Sequence, residues 1–195
     1  MSQKPRTLMM VAALVALLGS LAAAQTTGQP ERFTADALSL AGQVRNGIQT
    51  VDITVNRWSP DAERERLVMA LLNKGPQELL KELQKNKPVG NIRTPDSIGY
   101  DLRYAHQIAA PDGGRTIVIA TDRPIGFWEA TNRPRTFDYP FTVIQMNIGP
   151  DGTGSGTMSY ATKIVAKGNT IELENFASQP IMLNNIRAKE KKSTN

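Results

Sequence analysis

The chain has 195 residues, of which 40% are hydrophobic, 21% charged and 6% aromatic. That is globular composition, and it excludes collagen-like, coiled-coil and wholly disordered chains. With no cysteine and one histidine, disulfides, thiolate metal sites, thiol nucleophiles and two-imidazole mechanisms are excluded as well; the net charge is +5.

Residues 1–24 have the form of a secretory signal peptide. Lys4 and Arg6 supply a positive start, and residues 8–18 are an uninterrupted apolar run of eleven. That length lies within the usual range of about 7–15 for a signal core and falls short of the roughly 20 that span a bilayer. Gly19 and Ser20 end the run, and Ala22, Ala23 and Ala24 offer the small side chains needed for cleavage before Gln25. The expected product is periplasmic or secreted and does not span a membrane. The lack of cysteine and of any Asn-x-Ser/Thr acceptor fits a bacterial exported protein.

The charge is unevenly placed. Without Lys4 and Arg6 the balance is +3, and Arg187, Lys189, Lys191 and Lys192 against Glu190 account for all of it. Residues 25–186 are therefore neutral. A nucleic-acid partner is not expected, because no basic stripe with interleaved aromatics appears. Residues 189–195 read as a basic disordered tail, with weak attraction to anionic membrane or wall polymers as the alternative.

Residues 25–32 read as a polar leader, and residues 33–188 as one β-rich domain. Residues 33–41 suit a first strand or a short helix. Val51, Ile53 and Val55 alternate with Asp52, Thr54 and Asn56, as in a half-buried strand. A helical insertion follows over 60–85. Ser59 suits an N-cap, Pro60 the first helical position, and Asp61 and Glu63 the positive helix start. Leu67, Val68, Leu71 and Leu72 predict one apolar face; after Gly75 and Pro76, Leu79, Leu80 and Leu83 predict another.

Beyond Pro88 the pattern is strand after strand. Residues 100–108 place Tyr100, Leu102, Tyr104, His106 and Ile108 on one face. After a turn at 111–114, residues 116–121 are apolar on both faces, as in a central strand. Further strands are expected over 141–148, 157–165, 170–176 and 181–187, with 149–154 as a loop. Connections this short favour antiparallel pairing. The expected fold is α+β, mainly β: a curved antiparallel sheet or barrel of about seven or eight strands, with a helical pair inserted after the second strand.

Little in the chain suggests catalysis. His106 shares a face with apolar residues, where a histidine usually serves as a hydrogen-bonded core residue. No G-x-S-x-G elbow occurs, and Ser155 reads as part of a flexible hairpin tip. Gly152, Gly154 and Gly156 do not make a dinucleotide fingerprint and precede a strand. No cofactor and no metal site is implied, and no catalytic residue is assigned.

The most distinctive stretch runs from Thr121 through Asp122, Arg123, Pro124, Ile125, Gly126, Phe127 and Trp128 to Glu129. The candidate ligand-binding residues are Asp122, Arg123, Phe127, Trp128 and Glu129: Trp128 as a stacking wall, Arg123 or Glu129 as a polar anchor. The competing reading is a strand-end corner plugged by Phe127 and Trp128. This stretch from Ala120 to Glu129, together with Arg57, Trp58 and Ser59, resembles uncharacterised exported bacterial proteins that have no assigned activity. The resemblance implies a single exported unit and carries over no functional residue.

The residues point to a non-enzymatic exported protein that binds a small apolar ligand or a protein partner. The alternative is a carboxylate-dependent hydrolase, with Asp122 and Glu129 as the nearest pair. A filled interior with an exposed apolar patch would favour the protein partner.

Overall fold

The computed structural model describes residues 28–38, 48–123, 125, 141–160, 162–167, 170–175 and 180–190. Residues 1–24, with the form of a signal peptide, and Phe127, Trp128 and Glu129 lie outside the described residues.

Nine strands pair antiparallel in one sheet. In chain order they are β1 (Glu31–Leu38), β2 (Ile48–Val55), β3 (Gly90–Arg93), β4 (Tyr100–Leu102), β5 (Tyr104–Ala109), β6 (Arg115–Ala120), β7 (Thr142–Ile148) and β8 (Thr153–Tyr160), with β11 (Ile181–Glu190) last. Between β8 and β11 the chain makes a separate two-stranded ribbon, β9 (Thr162–Lys167) and β10 (Thr170–Asn175). Two helices, α1 (Asp61–Lys74) and α2 (Pro76–Lys85), follow β2. Among the described residues no helix is long and apolar enough to cross a membrane.

The sheet order is β4-β3-β2-β1-β11-β8-β7-β6-β5. Its two ends are consecutive pieces of chain, because β4 runs into β5 through Arg103. The segment after β2 fills the remaining gap. Asn56 N and Arg57 N donate to Val89 O at 2.8 and 3.1 Å, and Ser59 N donates to Ala105 O at 2.6 Å. The Ala105 amide donates to Ser59 Oγ at 3.3 Å. The result is a nearly closed barrel, which leaves few strand edges open to pairing with other chains.

The sheet has nine strands where the alternation predicts seven or eight. Gly90–Arg93 is too short and too polar to register as a strand in the sequence. Residues 100–108 break at Arg103, whose amide donates to Ala120 O at 2.9 Å, although Tyr104 is the residue registered opposite Ala120. Two residues facing one is a β-bulge, and it reverses the alternation. Leu102 therefore points into the barrel, while Tyr104 and His106 do not share its face. The stretch 157–165 likewise divides between β8 and β9.

The barrel is filled by its own side chains. Phe33, Ile53, Ile92, Ile119, Ile144 and Met146 belong to one cluster, and none has surface that a water-sized sphere can touch. Strand β8 contributes glycines to this layer. A Cβ on Gly154 would stand 2.0 Å from Asn147 O, so only glycine permits so close an approach to β7. The turn before it is shorter than the loop predicted over 149–154, since β8 already begins at Thr153. Ser155 is thus a strand residue registered opposite Asn147, away from the hairpin tip.

Helix α1 begins at Asp61 with Pro60 as N-cap, one residue later than predicted. The Ser59 hydroxyl makes no cap bond, because it serves Ala105 and Glu63 instead. Leu67 and Leu71 of α1, with Leu79 and Leu83 of α2, pack on Tyr104 and Phe141 against the outside of the barrel. Val118 and Ala120 join this contact, which explains why β6 is apolar on both faces. Only the Leu67–Leu71 stripe is covered: Leu72 is 43% exposed.

Candidate functional site

Antiparallel alternation sorts the connections onto two rims. One rim carries the start of β1, the end of β2, the turns at 110–114 and 149–152, and the end of β11; the other carries the connections β1–β2, β3–β4, β6–β7 and β8–β11. Candidate residues Asp122 and Arg123 follow β6 on the second rim.

There the chain turns a tight corner. Thr121 N donates to Thr142 O at 3.0 Å, and Thr142 N donates to Thr121 Oγ1 at 3.1 Å. Both hydroxyls donate to Arg123 O, and Ile125 N donates to Thr142 Oγ1 at 3.0 Å. These bonds satisfy the backbone where the strand ends and turn Ile125 into the barrel core, where it is 4% exposed. Ile125, a residue the sequence does not single out, plugs this rim.

Asp122 points the other way. Its side chain is 8% exposed, with Oδ2 3.2 Å from Arg103 Nε and Oδ1 3.7 Å from Arg123 Nε. Arg103 also donates from Nη1 to Asn86 O at 3.1 Å, and its Nη2 lies 3.9 Å from Asp101. Arg123 is exposed, and its guanidinium pairs with Asp122. The structure therefore brings Asp122 and Arg123 together and ties Asp122 to Arg103 of the bulge.

Arg103 continues into a polar seam between helices and barrel. Asn86 Nδ2 donates to Glu63 Oε1 at 2.7 Å and to Arg103 O at 3.1 Å. Ser59 Oγ donates to Glu63 Oε1 and Arg57 Nη1 donates to Glu63 Oε2, both at 3.0 Å. Arg66 bridges Asn86 Oδ1 and Glu82. Hydrogen bonds from Lys85 and Arg66 hold the Glu82 carboxyl below its usual range.

The sole histidine stands beside this seam. His106 is 6% exposed, stacks on Tyr104 with ring centroids 6.0 Å apart, and places Nδ1 3.3 Å from Ser59 O. The ring nitrogen thus meets the serine carbonyl, while the serine hydroxyl is held by Glu63 and Ala105. A nucleophile–base pair needs the opposite arrangement. Burial pushes the Tyr104 hydroxyl well above the usual phenol range, so it holds its proton.

A second polar cluster, missed in the sequence because its members lie far apart in the chain, sits inside the first rim. Arg115 of β6 donates to both carboxylate oxygens of Glu31 of β1, at 2.7 and 2.9 Å, and to Gln107 Oε1 at 2.8 Å. Its guanidinium lies 5.9 Å from the centroid of Phe33. Trp58 closes the core next to it, 6% exposed, with Nε1 donating to Gln29 O at 3.2 Å.

No family model, curated protein or solved structure matches the chain. What the arrangement can do is therefore read from its own chemistry. The Glu31, Glu63 and Asp122 carboxylates are each held by arginine. Among the described residues no group of three His, Cys, Asp or Glu side chains stands where it could hold a metal ion. Outside the barrel, α1 presents two large apolar side chains one turn apart, Met69 at 55% and Leu72 at 43% exposed.

Proposed function

We propose that this chain is an exported, non-enzymatic protein that recognises a protein partner on its outer surface. Export rests on the signal-like form of residues 1–24. The observation that carries the binding reading is the filled barrel. Phe33 of β1 and Ile53 of β2 are fully buried in one cluster with Ile119, Ile144 and Met146 of β6 and β7 on the opposite wall, so a small apolar ligand would have to displace them at the cost of close packing. The exposed Met69 and Leu72 of α1 supply an apolar contact point outside the barrel instead.

A hydrolase using Asp122 draws no support from its surroundings. A carboxylate pair needs a second acid facing Asp122, and the charged groups set against it among the described residues are the guanidiniums of Arg103 and Arg123.

Native mass spectrometry of the protein purified from its source tests this reading. The expected result is a protein-sized adduct that disappears in the double variant M69E/L72E. A stoichiometric small-molecule adduct on the free chain would contradict it.

A further inference from the structure

In the sequence, the excess positive charge of residues 25–195 falls at the end of β11 and directly after it, and the sheet brings one more cation to the end of that strand. Along β1, Glu31 and Phe33 point inward, which turns Arg32 and Thr34 outward. The register sets Arg32 opposite Lys189 and Thr34 opposite Arg187. Arg32, Arg187 and Lys189 are all exposed and occupy neighbouring outward positions on two paired strands. Side chains directly opposite one another in antiparallel strands stand roughly 5 Å apart, and like charges there are destabilising.

Among the described residues none of the three cations meets a carboxylate, whereas Arg57, Arg66, Arg93 and Arg115 each do. The nearby acids whose side chains are described are engaged elsewhere. Glu31 is taken by Arg115, Asp36 accepts from Asn185, Asp52 lies 3.8 Å from Arg93, and Asp151 accepts from Thr153. The sequence then adds Lys191 and Lys192 directly after β11.

We propose that the outer face of β1 and the end of β11 dock on an anionic lipid bilayer. Each basic side chain near an anionic surface contributes about 1 kcal/mol of attraction, and here Arg32, Arg187 and Lys189 put three on one face. The outward positions around them, Thr34, Thr54, Thr153 and Ser155, carry no aromatic ring on which nucleic-acid bases would stack. A second copy of the face would set cation against cation. An extended sheet surface without large apolar side chains beside the cations suits reversible, purely electrostatic contact with a charged plane. This inference does not depend on the protein-partner reading, which concerns α1.

The test uses the chain beginning at Gln25, which retains every described element and leaves out the apolar run 8–18 that would itself enter lipid. Co-sedimentation is measured with vesicles of pure phosphatidylcholine and with vesicles containing about 30% phosphatidylglycerol, at about 50 and about 500 mM salt. The chain binds only the anionic vesicles, and only at the lower salt. The variant R187Q/K189Q binds about 30-fold more weakly and melts no lower than the parent. The variant R64Q/K87Q, which removes two exposed cations elsewhere, binds like the parent. Absence of binding at low salt, equal binding to neutral vesicles, equal loss in both variants, tighter binding to duplex DNA, or a lowered melting temperature for R187Q/K189Q would each overturn the proposal.

Discussion

Arg115 reaches across one mouth of the barrel to grip both carboxylate oxygens of Glu31, 84 residues away in the chain. Three strands, β11, β8 and β7, separate β6 from β1 along the sheet. The pair is therefore a tie between opposite walls, and it closes the polar end of an otherwise apolar interior. Glu31 is 9% exposed, so loss of the arginine leaves a poorly hydrated carboxylate. Substituting either partner should cost about 2 kcal/mol. A double-mutant cycle of E31Q and R115M, read by denaturant unfolding, should give a coupling energy of at least about 1 kcal/mol; purely additive effects would mean that the pair is not a tie.

Ser59 is fully employed in closing the seam, accepting from the Ala105 amide and donating to Glu63. Ser59→Ala should destabilise the fold by about 1–3 kcal/mol by orphaning a buried amide. The melting temperature should drop by roughly 2–4 °C per kcal/mol for a chain of this size. Any activity attributed to the protein should survive in the folded fraction, and loss of activity without loss of stability would show that the Ser59 hydroxyl does more than close the seam.

The bulge in β11 predicts an unusual substitution pattern. Leu183 and Ile186 both face the core, so one residue between them is extra, and Asn185 takes it up at φ 51°. Asparagine tolerates this left-handed conformation, and its side chain donates to Asp36 at 2.9 Å. Asn185→Ala should cost about 1–2 kcal/mol, and Asn185→Gly less, because glycine restores the backbone freedom but not the hydrogen bond. Equal costs for the two, measured by thermal unfolding, would show that the backbone conformation contributes nothing.

Asp151 ties acid stability to the β7–β8 turn. Hydrogen bonds from the Thr153 hydroxyl and amide hold its carboxyl below the usual range. A carboxyl whose folded pKa is depressed adds stability above its unfolded pKa, and that contribution is lost as pH falls through the folded value. Thr153→Val removes one donor, so the Asp151 carboxyl should titrate at higher pH in a carbon-detected NMR titration. An unchanged titration would remove Thr153 as the cause.

The period-two pattern over 51–55 and 141–148, with the doubly apolar run 116–121 and the short connections, made the antiparallel sheet legible. The helical pair was legible from Pro60, Gly75 and the leucine spacing. The bulges at Arg103 and Asn185 were not, since an inserted residue leaves no local signature; it is defined by the strand opposite. His106 illustrates the consequence: strict alternation groups it with Leu102, yet the bulge at Arg103 turns it out of the interior. Of the candidate site, the Asp122–Arg123 contact was legible from adjacency, whereas Arg103, Asn86 and Glu63 come together only through the closure of the barrel. Glu31 and Arg115 had no sequence signal at all.

The proposed function turns on a barrel filled by its own side chains, with recognition left to the outer surface. The most direct test is methyl NMR of Ile117, Ile119, Ile144 and Met146 during titration with a small apolar probe such as N-phenyl-1-naphthylamine. The filled interior predicts that these methyl signals do not move at saturating probe. Stoichiometric shifts centred on them would show an interior that admits ligands and would contradict the account.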